Sequence, residues 1–175
     1  MVVRLVRDNF TTETSEVLVD NIESYNAVKS FMKMVMPRFI NRVKLYKDTT
    51  PIFSRFNIED QIESLYQRNV SLPSGGSIVF DSGEAMVSID VNSGKTTSAS
   101  QLEETALKTN LEAAEEIGRQ LRLRDLGGLV VIDFIDMFHK KNQSLVEKEI
   151  KKICKLDKAR INIARISKFG LLEMS

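Results

Sequence analysis

Hydrophobic and polar positions alternate most regularly between residues 85 and 92. Ala85, Val87, Ile89 and Val91 fall on one side, and Met86, Ser88, Asp90 and Asn92 on the other. A period of two marks a strand with one buried face. Residues 77–81 read as its partner across a tight turn at Ser82 and Gly83, which predicts an antiparallel hairpin. The period then changes. Ala106, Asn110, Ala114, Ile117 and Leu121 form one stripe of a predicted helix over residues 102–122. Asn110 on that stripe reads as a satisfied core amide. Gly127 and Gly128 then open the run Leu129-Val130-Val131-Ile132, whose unbroken aliphatic character predicts a strand buried on both faces. Phe134 and Ile135 are read as continuing this strand past Asp133. A further amphipathic helix is predicted over about 142–156. Ser144 to Glu147 has the form of a capping box, and Val146, Ile150, Ile153 and Cys154 face inward. A last strand is predicted over 159–166, with Ile161 and Ile163 on its inner face.

The first 70 residues are patterned less clearly. Residues 2–6 and 16–19 read as short strands joined by a polar turn. Residues 24–36 read as a helix capped by Ser24 and stopped by Pro37, with Val28, Phe31, Met34 and Val35 on one face. Residues 43–46 read as a strand. Residues 58–70 read as a second helix with Ile58, Ile62 and Tyr66 stacked. The breaker-rich stretch Ser71-Leu72-Pro73-Ser74-Gly75-Gly76 suits a subdomain boundary. The order in the second half is β-β-α-β-α-β, which places the chain in a mixed α/β (α+β) class.

Composition narrows the function. The 175 residues are 42% hydrophobic and 28% charged, ordinary values for a folded globular chain. No apolar run approaches the roughly 20 residues of a membrane span. The single cysteine, Cys154, rules out an internal disulfide and suits a reducing, cytoplasmic setting. His139 stands alone and reads as a surface residue. Net charge is only +1, but residues 138–168 carry ten Lys or Arg against three acids. That basic segment reads either as a solvated helix face or as a surface that holds a polyanion.

Asp133 is the residue the pattern explains least. An ionised carboxylate on a core strand is costly unless it is paired, hydrogen-bonded or bound to a metal. Asp136 is expected to point to the opposite face of the same strand and not to ligate a metal. Asp90 and Asn92 share one face about 7 Å apart. Such a pair also fits a solvent-facing edge. Two carboxylates without a closed oxygen cage suit Mg²⁺, which keeps several waters and shares its coordination with a substrate phosphate. The loop over 93–100, which contains Lys95, offers a cation and hydroxyls to a phosphate but lacks P-loop spacing.

Several words of the sequence go further. They include Leu72-Pro73-Ser74-Gly75-Gly76-Ser77-Ile78-Val79, Ser88-Ile89-Asp90-Val91-Asn92-Ser93 and Thr109-Asn110-Leu111-Glu112-Ala113-Ala114. With them go the stretch from Arg119 to Gly128, Ile132-Asp133-Phe134-Ile135-Asp136-Met137, and Phe169-Gly170-Leu171-Leu172-Glu173-Met174-Ser175. Together they closely resemble the catalytic domain of the ribonuclease E/ribonuclease G family. Lys44-Leu45-Tyr46 and Ile62-Glu63-Ser64 extend the likeness into the first part.

The resemblance implies a deoxyribonuclease I-like catalytic subdomain over 71–175, preceded by part of a ribonuclease H-like subdomain over 1–70. It implies that Asp90 and Asp133 bind one Mg²⁺ with Asn92 in support, and that Arg160 helps hold RNA; Lys168 of the basic segment and Lys95 of the 93–100 loop are further expected RNA contacts. The implied activity is endonucleolytic cleavage of single-stranded RNA to 5′-phosphate and 3′-hydroxyl ends, in RNA processing and decay. Family members oligomerise. The family's OB-fold, its pocket for the RNA 5′ end and its Cys-Pro-x-Cys zinc link are not encoded here. The expectation is therefore weak, Mg²⁺-dependent cleavage at low salt without preference for a 5′-monophosphate. The alternatives are a catalytically weak or inactive RNA-binding scaffold and, by fold analogy alone, a DNA-directed nuclease.

Overall fold

The structure, a computed structural model, describes residues 1–94 and 101–175. It is a mixed α/β chain that divides into two compact units, Met1–Gln61 and Ile62–Ser175. The division falls ahead of the breaker-rich stretch at 71–76. Among the described residues no helix is long and apolar enough to cross a membrane.

The first unit contains α1 (Val2–Asn9), β1 (Val17–Val19), α2 (Ile22–Val35), a 3-10 turn (Pro37–Arg42), β2 (Val43–Leu45) and α3 (Ile52–Arg55). β1 and β2 pair in parallel, with Val17 opposite Val43. Residues 2–6 are helical, not a strand. Val2, Val3, Val6 and Phe10 recur at helical spacing and pack on the buried Val28, Met32 and Val43. That stripe outweighs the β-preference of the valines. The cap of α2 is Asn21, whose side-chain oxygen accepts the Ser24 N–H at 2.9 Å, so Ser24 lies inside the helix. Its inner face is Val28 and Met32, while Met34 and Val35 are exposed.

α4 (Ile58–Ser64) is shorter than its pattern implied. Residues assigned to its end form β3 (Asn69–Ser71), which pairs antiparallel with β4 (Ser77–Ser82), Val70 opposite Ile78. The Arg68 guanidinium forks onto the Asp81 carboxylate at 2.6 and 2.7 Å, which holds β3 in this pairing. Both facts depend on β4, so local helix spacing could not reveal them.

β4 and β5 (Val87–Asn92) form the expected hairpin, with Val79 opposite Asp90. α5 (Leu102–Leu123) carries the chain across to β6 (Val130–Asp133), which pairs in parallel with β5. α6 (Lys140–Cys154) follows and starts before the Ser144 capping box. β7 (Leu171–Met174) closes the sheet, antiparallel to β6, giving the order β3-β4-β5-β6-β7. The last strand is therefore the terminal apolar run and not residues 159–166. That earlier segment pairs with β7 only through an isolated bridge between Ile163 and Met174 and hydrogen bonds at Asn162 and Ala164.

The core lies on one face of this sheet. Ile78, Ile89, Ile132 and Leu172 are buried with Ala113, Ala114 and Ile117 of α5 and Val146 and Ile150 of α6. Gly118 permits close helix packing, since a Cβ there would sit 2.4 Å from Ile153 Cγ2. Cys154 is buried, and that burial pushes its thiol above the ordinary range, as suits an unreactive core residue. Asn110 is wholly buried and satisfied: its Nδ2 donates to Ile135 O at 2.8 Å, and its Oδ1 accepts the Ile135 N–H at 3.0 Å.

Candidate metal centre

Along β5 the burial alternates without a fault. Val87, Ile89 and Val91 are buried, and Ser88, Asp90 and Asn92 are exposed on the other face. On β6 the same face carries Val131, half-buried, and Asp133, exposed. The strand is thus covered on one side only. This resolves the apparent cost of Asp133, because its carboxylate leaves the sheet away from the helices and meets water. The strand also ends at Asp133 instead of running on through Phe134 and Ile135.

Parallel pairing brings the two aspartates together. Asp90 stands opposite Asp133 in register, as the last pair of the β5–β6 ladder. Neighbouring strands lie about 4.8 Å apart, so the two side chains rise side by side from one face. Asn92 Nδ2 donates to Asp90 Oδ2 at 2.7 Å, which fixes the orientation of that carboxylate. Asp90, Asn92, Ser93, Asp133 and Asp136 line one cleft of about 350 Å³ together with Phe134 and Ile135.

Asp136 differs from expectation. The backbone leaves the strand after Asp133, so strand alternation no longer governs Asp136, and it returns to the same cleft. Three bonds hold this turn from behind. Asn110 clamps both polar groups of Ile135, and Gln143 Nε2 donates to Met137 O at 2.9 Å. Gly170, in the cavity adjoining the cleft, has φ +80°, a conformation that glycine adopts without strain. A Cβ at Gly170 would lie 3.2 Å from Asp136 Oδ1 and 3.9 Å from Asp133 Oδ1, so the missing side chain leaves that space to the carboxylates.

The cleft gathers negative charge. Among the described residues, none of Asp90, Asp133 and Asp136 forms an ion pair. The Asp133 carboxyl is raised above its ordinary pKa, first by partial desolvation, then by the charges of Asp90 and Asp136. No three described His, Cys, Asp or Glu side chains converge into a closed cage. Two neighbouring carboxylates with open space fit Mg²⁺, which coordinates one or two carboxylates and fills its other positions with water or phosphate.

Linkage gives the raised pKa a consequence in the metal-free chain. A carboxyl whose folded pKa lies above its unfolded value adds stability that is fully present below the unfolded pKa. That stability is lost as pH rises through the folded pKa. Asp133→Asn is therefore expected to be more stable than the parent at neutral pH in EDTA. The difference should vanish below about pH 4, the ordinary aspartate range. It will be small, because Asp133 is exposed and water screens its neighbours. Thermal unfolding from about pH 3 to about pH 7 checks it. A variant less stable than the parent at every pH would remove the repulsion inferred here.

The other sequence-level site residues are more scattered. Lys168 lines a cavity of about 220 Å³ that shares Phe134, Ile135 and Asp136 with the acidic cleft. Arg160 is exposed on the segment after α6 and does not line that cleft. Lys95 lies outside the described residues. His139 is the N-cap residue of α6 and is exposed, without a side-chain capping bond. Sequence reasoning missed Asp136 as part of the cleft and the close approach of Gly170 to its carboxylates. Gly170 carried one usable signal, a glycine set inside an otherwise continuous apolar ending.

Comparison with known proteins agrees with this geometry in its breadth. The family model for the ribonuclease E/G family matches residues 1–175. Ribonuclease E of Haemophilus influenzae is 56% identical over 175 residues, covering 100% of this chain and 19% of that protein. Ribonuclease E of Escherichia coli K12 is 51% identical over 176 residues, covering 100% of this chain and 17% of that protein. A chloroplastic ribonuclease E/G-like protein of Arabidopsis thaliana is 37% identical over 173 residues, covering 98% of this chain and 17% of that protein. The chain thus spans about a fifth of the length of these curated relatives. A match over every residue, carried at high identity by several relatives, places the chain in the ribonuclease E/G family.

Proposed function

We propose that the cleft bounded by Asp90 and Asp133 is the Mg²⁺ centre of an endoribonuclease acting on single-stranded RNA. The observation that carries this reading is the in-register pairing of Asp90 with Asp133 at the end of two parallel strands. On this reading Ile62–Ser175 is the deoxyribonuclease I-like catalytic subdomain and Met1–Gln61 part of a ribonuclease H-like one.

Asp90 and Asp133 hold the cation, and Asn92 holds Asp90 in its ligating rotamer. Bound there, Mg²⁺ would supply Lewis-acid polarisation of the scissile phosphate and lower the pKa of an attacking water. Asp136 adds negative potential to the same wall. Lys168, in the adjoining cavity, offers a positive charge to a neighbouring phosphate. Hydrolysis by water leaves a 5′-phosphate and a 3′-hydroxyl. A single strand suits an open, shallow cleft, since its phosphates can bend to the acid pair while its bases turn outward.

The test is turnover of a short single-stranded RNA at low salt, with Mg²⁺ and with excess EDTA, and analysis of the product ends. Cleavage only with Mg²⁺, leaving 5′-phosphates, is expected. Equal rates in EDTA would remove the metal mechanism. The basic face of α6, with Lys141, Lys148, Lys151 and Lys155 exposed, favours a second reading as an RNA-holding module without turnover. Salt-sensitive RNA binding with no cleavage under any cation is its outcome. Competition by DNA of equal length separates an RNA-directed centre from a DNA-directed one.

A further inference from the structure

Two large aromatic rings stand in water on the segments that border the cavity adjoining the acidic cleft. Phe138 is 82% exposed and Phe169 71% exposed. Single exposed apolar residues are ordinary, but these two are carried on tethered backbone segments that border one cavity. Phe138 lines the 220 Å³ cavity that adjoins the cleft. Phe169 sits between Lys168 and Gly170, which both line it.

Each ring is held by specific bonds. The carboxylate of Glu103, in the first turn of α5, accepts the Phe138 N–H at 2.9 Å and the His139 N–H at 3.2 Å. It also accepts from Asn142 Nδ2 at 2.6 Å. One carboxylate thereby ties the start of α6 to α5 and fixes the backbone under Phe138. Phe169 rides on a tight turn in which Ser167 Oγ accepts its N–H at 3.2 Å. The Ser167 N–H donates to Leu171 O at 2.8 Å, and the Gly170 N–H donates to Ser167 O at 3.1 Å. Lys168 Nζ lies 4.9 Å from the centroid of that ring.

We propose that Phe138 and Phe169, with Lys168 beside Phe169, form a nucleobase-stacking subsite at the rim of the acidic cleft. An RNA strand whose phosphate sits at Asp90 and Asp133 would lay its adjoining unpaired bases on these rings. Lys168 would meet the phosphate between them. Aromatic faces suit this because every base has a π-surface, so the strand is held without a sequence code. The acid pair alone repels phosphates, and the rings supply an attraction that charge does not oppose. Glu103 is a positioning residue for Phe138 and touches no RNA. This inference rests on the reading of the cleft as an RNA-cleaving centre.

The experiment is binding of a fluorescently labelled single-stranded RNA to the 175-residue chain, measured in EDTA so that no turnover intervenes. Phe138→Ala and Phe169→Ala should each weaken binding roughly five- to hundredfold, with Phe138→Tyr restoring it. Both rings are exposed, so the melting temperature should not move, and circular dichroism checks that. Lys168→Gln should lower the salt dependence of binding by about one released counterion, and the two alanine variants should leave that slope unchanged. An RNA with abasic nucleotides should bind the parent as weakly as intact RNA binds Phe138→Ala.

If both alanine variants bind like the parent, the subsite is overturned. The same holds if they alter only sedimentation, since the rings would then face a second copy of the chain. Ring-dependent binding without Mg²⁺-dependent cleavage leaves the subsite standing and removes the metal reading. Metal-dependent cleavage with affinity indifferent to both rings does the reverse.

Discussion

On the proposed reading, replacing either Asp90 or Asp133 by Asn is expected to lower RNA cleavage by roughly a thousandfold while leaving the fold intact. The size follows from what one ligand contributes. A cation that polarises a phosphate and activates water supplies several kcal/mol to the transition state, and each 1.36 kcal/mol is about tenfold in rate. Asp90 and Asp133 are opposite one another in the ladder and, on the proposed reading, share the metal, so losing either would remove half of the carboxylate ligation. The amide is isosteric, and neither side chain is in the core, so stability need not fall. Asp136→Asn is expected to cost no more than about tenfold, since on this reading Asp136 supplies field and not ligation.

Metal binding gives a readout independent of turnover. Mg²⁺ should raise the melting temperature of the parent by mass action and leave Asp133→Asn unmoved. Cleavage by Asp133→Asn within about tenfold of the parent, or an undiminished Mg²⁺ shift, would move the metal off these strands.

The largest loss of stability is expected at Asn110. Its amide is wholly buried and answers both the N–H and the C=O of Ile135. Asn110→Leu keeps the volume and removes both bonds. It leaves both backbone polar groups of the half-buried Ile135 without their side-chain partner. Each such group costs about 1–3 kcal/mol, so the loss should be roughly 2–5 kcal/mol. For a chain of this size that is on the order of 5–15 °C in melting temperature.

The effect should reach the cleft as well. Ile135 anchors the turn between Asp133 and Asp136, so an untethered turn displaces one wall of the acid cluster. Cleavage should fall at least about tenfold, because small misplacements of positioning groups are costly. Asn110→Asp retains an acceptor for the Ile135 N–H and loses the donor to its carbonyl. Its stability should fall between parent and Asn110→Leu in acid, where the carboxyl is protonated and donates. Chemical denaturation with turnover measured on the same samples tests both claims. An Asn110→Leu protein as stable and active as the parent would show that this amide is not the anchor.

Elements whose logic is local were legible in the chain. The alternation from Val87 to Asn92 named the strand, its buried face and the exposure of Asp90 and Asn92. The helical stripe from Ala106 to Leu121 named α5, and its polar member Asn110 was recognised as a satisfied amide. The family words named the kinship that comparison with known proteins bears out across all 175 residues. Local reasoning failed where a long-range partner decided. Asn69–Ser71 are a strand because β4 offers hydrogen bonds and Asp81 holds Arg68. Residues 2–6 are a helix because their stripe meets Val28 and Met32.

At the cleft the same division holds. The sequence by itself determined which residue types stand at 90, 92 and 133, and that the first two share a face. Periodicity alone could not determine that Asp90 and Asp133 face each other, although the family resemblance implied one shared metal, because register between strands whose paired residues lie 43 apart is set by the crossover through α5 and by the core on its far side. Nor could it place Asp136. Strand periodicity sent that side chain to the opposite face, but periodicity lapses once the ladder ends at Asp133. From there the backbone follows Asn110, Gln143 and the space left at Gly170, and only the tertiary structure brings those three together.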